Sequence, residues 1–247
     1  MHRHALLVLL VLLVAGASLG SSGGAGSDFT DGLGFELFLG LLALAIAARS
    51  PQGLTARLGL GPSRLPWSLL ALLVVGMLSL SFALDGASKV FELPHSDAIE
   101  QLESRLSGTR GPALTVALLS FALVPGVAEE LLCRGLVQRG LQVRFGPATA
   151  IVLAALFFGA LHMDPVYSFL AAALGLYLGA IAYLAGSVRA SITCHAVNNA
   201  AAVLGAAAAP EFGPVAPIGF VVAGIFSLGA LRYAQHRMNR LSHPGIS

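Results

Sequence analysis

The stretch that decides the fold reads Ser120-Phe-Ala-Leu-Val-Pro-Gly-Val-Ala-Glu-Glu-Leu-Leu-Cys-Arg-Gly135. It carries two adjacent glutamates and an arginine (Glu129, Glu130 and Arg134) inside a run that is apolar enough to enter a membrane. Ionisable side chains are costly at membrane depth and are retained there mainly where they serve a function. The stretch therefore predicts a membrane-spanning helix with a polar site in it.

The composition of the whole chain is typical of a membrane protein. Of the 247 residues, 56% are hydrophobic and only 11% are charged, and the mean hydropathy is +0.83. A soluble domain has roughly 25% charged residues. The net charge of +2 and the scattered arginines argue against a surface for nucleic acid. We expect the lipid bilayer, and no nucleic acid, as the partner of this chain.

The apolar segments predict an all-α, polytopic membrane protein with about eight transmembrane helices. A membrane-spanning helix needs about 20 apolar residues. The candidate segments are rich in Ala, Gly, Leu and Val, and they are 5–20, 33–48, 66–84, 112–132, 147–162, 166–186, 190–208 and 215–232. We predict that residues 28–247 form a single transmembrane domain.

Residues 1–27 have two interpretations. The first four residues form a small basic region, and an apolar run and small residues follow, as in a cleaved signal peptide. The alternative is a retained first transmembrane helix that leads into a flexible Gly/Ser-rich linker. The sequence leaves both open, and cleavage would leave seven spans.

The basic residues predict the orientation of the spans. With eight crossings, eleven of the 14 Lys and Arg residues fall on one side, and the acidic loop residues fall on the other. Cytosolic loops carry the excess of Lys and Arg in membrane proteins. We therefore predict an integral, multi-pass protein with both termini in the cytosol. The short loops and the Ala/Leu/Gly-rich composition favour a bacterial cell membrane.

Spacing divides the charged residues of the decisive stretch between two faces of a helix. Glu130 and Arg134 are four residues apart, so they share a face and can form an ion pair. Glu129 is turned about 100° away and is left to face another group. One carboxylate would then hold the structure while its neighbour reacts. The alternative is a charged cluster at a helix end that extends toward the lipid headgroups.

Two further polar pairs lie in apolar segments downstream. Phe158 precedes His162 by four residues, and His195 precedes Asn199 by four, so each pair shares a helix face; Asn198 is turned away from that face. At about 1.5 Å of rise per residue, these sites can converge at mid-depth, although His162 lies near the external end of its span. Taken singly, such histidines more often form interfacial or inter-helix hydrogen bonds.

The ordered set of three motifs resembles a known signature. Glu129-Glu130-xxx-Arg134, Phe158-xxx-His162 and His195-xxx-Asn199 are similar, in order and in internal spacing, to the motifs of the CPBP or Abi family. Its members are intramembrane proteases related to the type II CAAX prenyl endopeptidases. The family has a similar eight-helix plan, and the resemblance places a CPBP-like core at about 112–208.

The resemblance implies hydrolysis of a peptide bond near the cytosolic leaflet, in a CAAX-type or other membrane-associated substrate. It implies that Glu129 is a general base that activates a water, which His162 helps to hold and polarise. His195 and Asn199 would donate hydrogen bonds to the developing oxyanion. The supporting residues would be Glu130, Arg134 and Phe158.

The same resemblance leaves the use of a metal open, because Glu and His in that family have been interpreted both as a metal-free pair and as metal ligands. A zinc site would need three protein ligands and a water. Glu129, His162 and His195 would supply the three. The HExxH motif of soluble metalloproteases is absent from the sequence. We favour chemistry without a metal and keep zinc as the alternative cofactor.

Two other functional classes stay open. The first is a non-catalytic membrane protein of the same fold, acting as an immunity factor or scaffold. The second is a proton-coupled transporter, because intramembrane Glu and His residues can relay protons. Transporters often contain two related halves. The sequence shows no such repeat, which makes transport the less favoured hypothesis.

Overall fold

The computed structural model describes residues 31–94, 97–208 and 217–242. Within these ranges the regular structure is helical and contains no strand, which confirms the all-α prediction. We number the helices in chain order. They are α1 Asp31–Ala48, α2 Leu54–Leu58, α3 Trp67–Val90, α4 Asp97–Leu106, α5 Gly111–Ala160, α6 Pro165–Ala185, α7 Val188–Ala208 and α8 Pro217–Ser242.

In the described part of the chain, four helices are long and apolar enough to cross a membrane. These are α3, α5, α6 and the Ile218–Leu241 stretch of α8, and α1 is apolar but shorter. A helix satisfies its backbone hydrogen bonds internally, as it must in a membrane, because lipid tails offer no hydrogen-bond partners. Val221, Val222 and Ile225 of α8 are each more than half exposed, as expected of a lipid-facing surface. The prediction of an integral membrane protein is confirmed, while the number of crossings and the side of the termini remain predictions.

The helices coincide with seven of the eight predicted segments. The remaining segment, 5–20, lies outside the described residues, as does the whole signal-like segment, residues 1–27. Helices α3 and α8 continue beyond the ends predicted at 84 and 232. No proline directly follows the apolar run in either case, and proline is the residue that would break the helix there. Each helix therefore continues through the polar residues that come next.

Helix α5 corrects one prediction. We expected two spans, 112–132 and 147–162, joined by a loop that carried Arg134, whereas residues 133–145 are helical. Two helical segments meet at a kink at Gly146, whose φ of 75° and ψ of 172° lie outside the helical region, directly before the second predicted segment. Glycine adopts a positive φ at little cost. The charged residues did not mark a loop, because Arg134 finds its partners inside the protein.

Two stretches of α5 are π-helical, Leu119–Leu123 and Leu131–Gln138. Turns of this kind occur as bulges in α-helices, frequently at functional sites. Two carbonyls of the second stretch are bound from α2. Nη1 of Arg57 donates to the carbonyl oxygen of Gly135 at 3.0 Å, and Nη2 donates to that of Leu136 at 3.2 Å. The wide turn after the glutamates is thus supported by a basic side chain from a neighbouring helix.

Small residues bring α1 and α7 close to α5 beside the glutamates. A β-carbon added to Gly40 of α1 would lie 3.4 Å from the β-carbon of Ala128. One added to Gly126 would lie 3.0 Å from the backbone of Ala196 on α7. Close approach through small residues is typical of helix packing in membranes. Because Ala128 directly precedes Glu129, the two contacts hold this region of α5 against both neighbours.

The buried apolar side chains form two larger clusters. One lies between α3, α6, α7 and α8 and includes Leu73, Tyr177 and Met238. The other packs α1 and α2 against α5 and includes Leu39 and Leu132. The glutamates of the decisive stretch belong to the same region of α5 as the second cluster, so α1 forms one wall of the site.

Candidate active site

The centre of the site is an ion pair between Glu130 and Arg134. Nη1 of Arg134 donates to Oε1 of Glu130 at 2.6 Å, as the four-residue spacing predicts, and both side chains are fully buried. The alternative in which Arg134 extends to the headgroups is wrong, because this residue is only 1% exposed. A buried ion pair needs additional hydrogen bonds to offset its desolvation. Nη2 supplies one by donating to the carbonyl oxygen of Gly175 at 2.9 Å.

His195 of α7 lies between the two glutamates. Its Nδ1 is 3.1 Å from Oε1 of Glu130, and its Nε2 is 3.5 Å from Oε2 of Glu129. The carboxylate of Glu130, already bound by Arg134, acts as an acceptor, so Nδ1 of His195 carries a proton. Nε2 then faces Glu129 at a distance slightly longer than an ordinary hydrogen bond.

The ring of Phe158 joins the second motif to the other two. The guanidinium carbon of Arg134 lies 4.5 Å from the ring centroid, in a cation–π contact. The rings of His162 and His195 both meet Phe158 edge-on, at centroid distances of 5.1 and 5.6 Å. One aromatic side chain therefore contacts a residue from each of the three sequence motifs, its own included.

His162 follows the end of α5 and is half-buried. Its Nδ1 is 3.0 Å from the carbonyl oxygen of Phe158. A carbonyl oxygen only accepts, so Nδ1 is the protonated nitrogen and Nε2 keeps a lone pair. The ring also packs against that of Tyr167, with centroids 4.4 Å apart. The imidazole is therefore held with an acceptor nitrogen left for an O–H donor such as water.

Two side chains of α5 bind α6 at matching intervals. Arg134 donates to the carbonyl oxygen of Gly175, and Nε2 of Gln138 donates to that of Gly179, each at 2.9 Å. Four residues separate the two donors, and four separate the two acceptors. Gln138 is buried and belongs to none of the three sequence motifs.

Two more residues reach the site without having been recognised in the sequence. Glu36 of α1 is half-buried and lies one helical turn before Gly40, which packs against Ala128 next to Glu129. Tyr167 of α6 reaches the site through the contact of its ring with that of His162. A signal for Glu36 existed, since it is an acidic residue in the apolar segment 33–48. Tyr167 gave no such signal, because an aromatic residue near the end of a membrane helix is ordinary.

Asn199 lies one helical turn after His195 and is half-buried. Its neighbour Asn198, which the spacing turned away from the site, is 7% exposed. The Oδ1 atom of Asn198 has no hydrogen-bond partner among the residues that the structure describes. The turn after His195 thus carries two amide side chains. The motif contains Asn199, whereas the buried one is Asn198.

The residues as placed do not fit the alternative zinc site. Within 31–94, 97–208 and 217–242, no group of three or more His, Cys, Asp or Glu side chains is arranged to hold a metal ion. His195 binds Glu130 through Nδ1 and His162 binds a backbone carbonyl through Nδ1, so only Nε2 of each ring is left for a metal. A zinc ion needs three protein ligands that converge on one point. We therefore assign no step of the reaction to a metal.

Comparison with protein families supports the resemblance seen in the motifs. Residues 111–201 match the Rce1-like family model, described as type II CAAX prenyl endopeptidase. The match covers α5, α6 and most of α7, and so includes all three motifs. Comparisons with curated proteins and with solved structures found no match. Through this segment, which is less than half of the chain, the protein is similar to the type II CAAX prenyl endopeptidases.

Proposed function

We propose that this protein is an intramembrane endopeptidase that hydrolyses a peptide bond near the cytosolic leaflet, with CAAX-type and other membrane-associated proteins as its substrates. The observation that carries the proposal is the environment of the Glu129 carboxyl group. This carboxyl group is buried among apolar helices, and the neighbouring Arg134 is bound by Glu130 instead. Glu129 faces Nε2 of His195. It is therefore the carboxylate of the stretch that is free to react.

In this proposal Glu129 is the general base. It accepts a proton from a water molecule, and the water oxygen forms a bond to the carbonyl carbon of the scissile peptide. His162 accepts the second O–H of that water at Nε2, because its Nδ1 donates to the backbone. The electron pair of the C=O bond moves to oxygen and gives a tetrahedral oxyanion.

Donors from α7 stabilise the oxyanion. Nδ1–H of His195 is bound to Glu130, so donation from this ring to the oxyanion uses Nε2. The side-chain amide of Asn199 is the second donor. Preorganised donors of this kind contribute about 2.7–4 kcal/mol each to an acyl-transfer transition state.

Collapse of the intermediate completes the reaction. The C–N bond breaks, and the proton held by Glu129 passes to the nitrogen of the leaving amine. The products are a new carboxyl terminus and a free amine. Glu130, Arg134 and Phe158 take no proton in this scheme, and they hold His195 and His162 in place.

The test is cleavage by purified protein in detergent. Prenylated and unprenylated peptides that end in a CAAX-type sequence are compared with a library of hydrophobic peptides. Glu129→Gln should lower kcat by at least about 100-fold, because a general base contributes 10²–10⁴-fold. The matched control is Glu103→Gln, which changes an exposed carboxylate of α4. Both variants should keep the unfolding temperature of the wild type.

Each of the other hypotheses has its own outcome. Wild-type activity in Glu129→Gln would overturn the mechanism. Activity that a chelator removes and zinc restores would return the metal alternative. A wild-type protein that cleaves nothing, and whose cellular effect survives Glu129→Gln, would favour a scaffold. Proton uptake into proteoliposomes that depends on Glu129 would favour a transporter.

A further inference from the structure

We infer that a cavity between α5 and the end of α6 binds the phosphate group of an anionic phospholipid, with Arg64 and Arg139 as the donors. The inference concerns binding and not cleavage, so it does not depend on the proposed function. Neither arginine belongs to the three sequence motifs, and Arg64 lies outside the segment that matches the family model, residues 111–201.

The cavity has a volume of about 230 Å³, and its walls include Arg64, Arg139 and Tyr183. The buried side chains of Arg134 and Gln138 form its inner wall. A wider depression of about 490 Å³ beside α2 shares Arg139 with it. A cavity of this size holds much more than a single water molecule. Space for a phosphate group is therefore present next to two arginines.

The backbone around the cavity holds both arginines in place. The N–H of Arg64 donates to the carbonyl oxygen of Ala185 at 2.9 Å. Its side chain lies over Gly186, where an added β-carbon would be 3.0 Å from Nε. Nη2 of Arg139 donates to the carbonyl oxygen of Ala56 at 3.2 Å. The other N–H groups of each guanidinium form a rigid fork that matches the geometry of a phosphate.

The arginines of the cavity come from chain segments without acidic residues. Neither Asp nor Glu occurs in the sequence at 37–84, 131–163 or 165–210. Glu130, which directly precedes the second of these segments, is bound by Arg134. Burial lowers the pKa of Arg57 on α2, and the positive charge of the nearby Arg139 lowers it further. The positive charge around the cavity is therefore left to be balanced by an anion from outside the chain.

The cavity lies at the level of the helix ends, where the phosphates of a bilayer are found. Arg64 is three residues before Trp67, at which α3 begins, and Gly186 directly follows the end of α6. Trp67 is 85% exposed, and Tyr183 in the cavity wall is 50% exposed. Trp and Tyr are enriched at the membrane–water interface, and basic pockets between membrane helices bind anionic headgroups. The position of the cavity favours a lipid over a phosphate compound in solution.

The test is lipid binding by the purified, delipidated full chain in a neutral detergent, measured by native mass spectrometry and by thermal unfolding. Phosphatidylglycerol is compared with phosphatidylcholine, which carries a phosphate but no net charge, and with inorganic phosphate. We expect phosphatidylglycerol to bind at least about 10-fold more tightly than phosphatidylcholine. It should also raise the unfolding temperature, because a ligand that binds only the folded state stabilises that state.

Variants of the two arginines locate the binding site. Arg64→Gln and Arg139→Gln should each weaken the binding of phosphatidylglycerol by about 10-fold or more, because each removes charge-assisted hydrogen bonds. Arg64→Gln should leave the unfolding temperature without lipid unchanged, since this side chain is exposed and the backbone bond to Ala185 remains. The matched control is Arg189→Gln, which changes an exposed arginine near the start of α7 outside the cavity wall. This control should bind phosphatidylglycerol as the wild type does.

Three results would overturn the inference. Equal losses in all three variants would mean that surface charge attracts the lipid without a defined site. Equal binding of the two lipids would contradict the requirement for an anionic headgroup. If inorganic phosphate raises the unfolding temperature as much as phosphatidylglycerol does, and Arg64→Gln removes both effects, the ligand is a soluble phosphate and the lipid assignment is wrong. Cleavage enters none of these measurements, so the proposed function is tested separately.

Discussion

Helices α5 and α8 are both apolar enough to cross a membrane, yet they bury very different shares of their residues. In the most apolar window of α5, 61% of the residues are buried inside the protein, against 17% in that of α8. Helix α8 packs mainly on α3, whereas α5 is covered by α1, α6 and α7. Hydropathy detects both helices equally well. The charged residues are what distinguish the helix that carries the site from the helix that faces lipid.

The two regions also differ in what holds them together. Lipid is as apolar as a leucine side chain, so helices in a membrane associate through close packing and polar contacts rather than through the hydrophobic effect. Around α5 both kinds of contact are present, at Gly126 and at Arg134. Between α3 and α8 the contact is apolar and includes Met77 and Ala234. We therefore expect substitutions around α5 to cost more than substitutions on the outer face of α8.

The largest effect on stability is expected for Arg134→Met. It removes the partner of the buried Glu130 and leaves the carbonyl of Gly175 without its donor. Breaking a buried ion pair from one side costs about 3–5 kcal/mol. Thermal unfolding in detergent should show the loss as a lower unfolding temperature.

A double variant sharpens this prediction. Replacing both members of the pair, as in Glu130→Gln with Arg134→Met, removes the uncompensated charge and should cost less than the sum of the two single changes. Strict additivity would mean that the two side chains are not coupled, and the ion pair would then not be the centre of the site.

A smaller effect is expected for Gly126→Ala. The new β-carbon would lie 3.0 Å from the backbone of Ala196, so α5 and α7 would have to move apart. Overpacking of this kind costs about 1–3 kcal/mol. The matched change on the other side of the comparison is Gly229→Ala in α8, where a β-carbon meets nothing within 4 Å. The Gly229→Ala variant should be as stable as the wild type or more stable by up to about 1 kcal/mol. Equal losses of stability in the two variants would contradict the expected difference in packing between α5 and α8.

The smallest effect is expected for Ile225→Ala on the outer face of α8. This side chain is 67% exposed, and we expect its exposed surface to face lipid. Its removal should change the free energy of unfolding by no more than about 0.5 kcal/mol. A loss of several kcal/mol in the same unfolding assay would show that another protein or a second copy covers this face.

The features that sequence could predict are local ones. The helices were predictable because each apolar run is continuous, and the Glu130–Arg134 pair was predictable because its spacing is that of one helical turn. The same reasoning failed for residues 133–145. Charged residues there indicated a loop, since the sequence does not show that Arg134 has a carbonyl on α6 to bind.

The features that sequence could not predict depend on which helices touch. Glu36 lies more than 90 residues before Glu129, and nothing in either segment states that α1 packs on α5. The π-helical turn Leu131–Gln138 is likewise supported from a distance, by Arg57. Spacing showed that Phe158 and His162 share a face, but it could not show that the ring also meets Arg134 and His195.

Arg134 and Gln138 make two hydrogen bonds between α5 and α6, each to a carbonyl oxygen at 2.9 Å. Sliding one helix along the other by a single residue would break both hydrogen bonds at once and leave the buried guanidinium of Arg134 with only its partners on α5. Small sliding movements of packed helices are a common way for proteins to open and close. The two hydrogen bonds oppose that movement here. We expect α5 and α6 to move as one rigid body, so that a substrate enters through displacement of other helices.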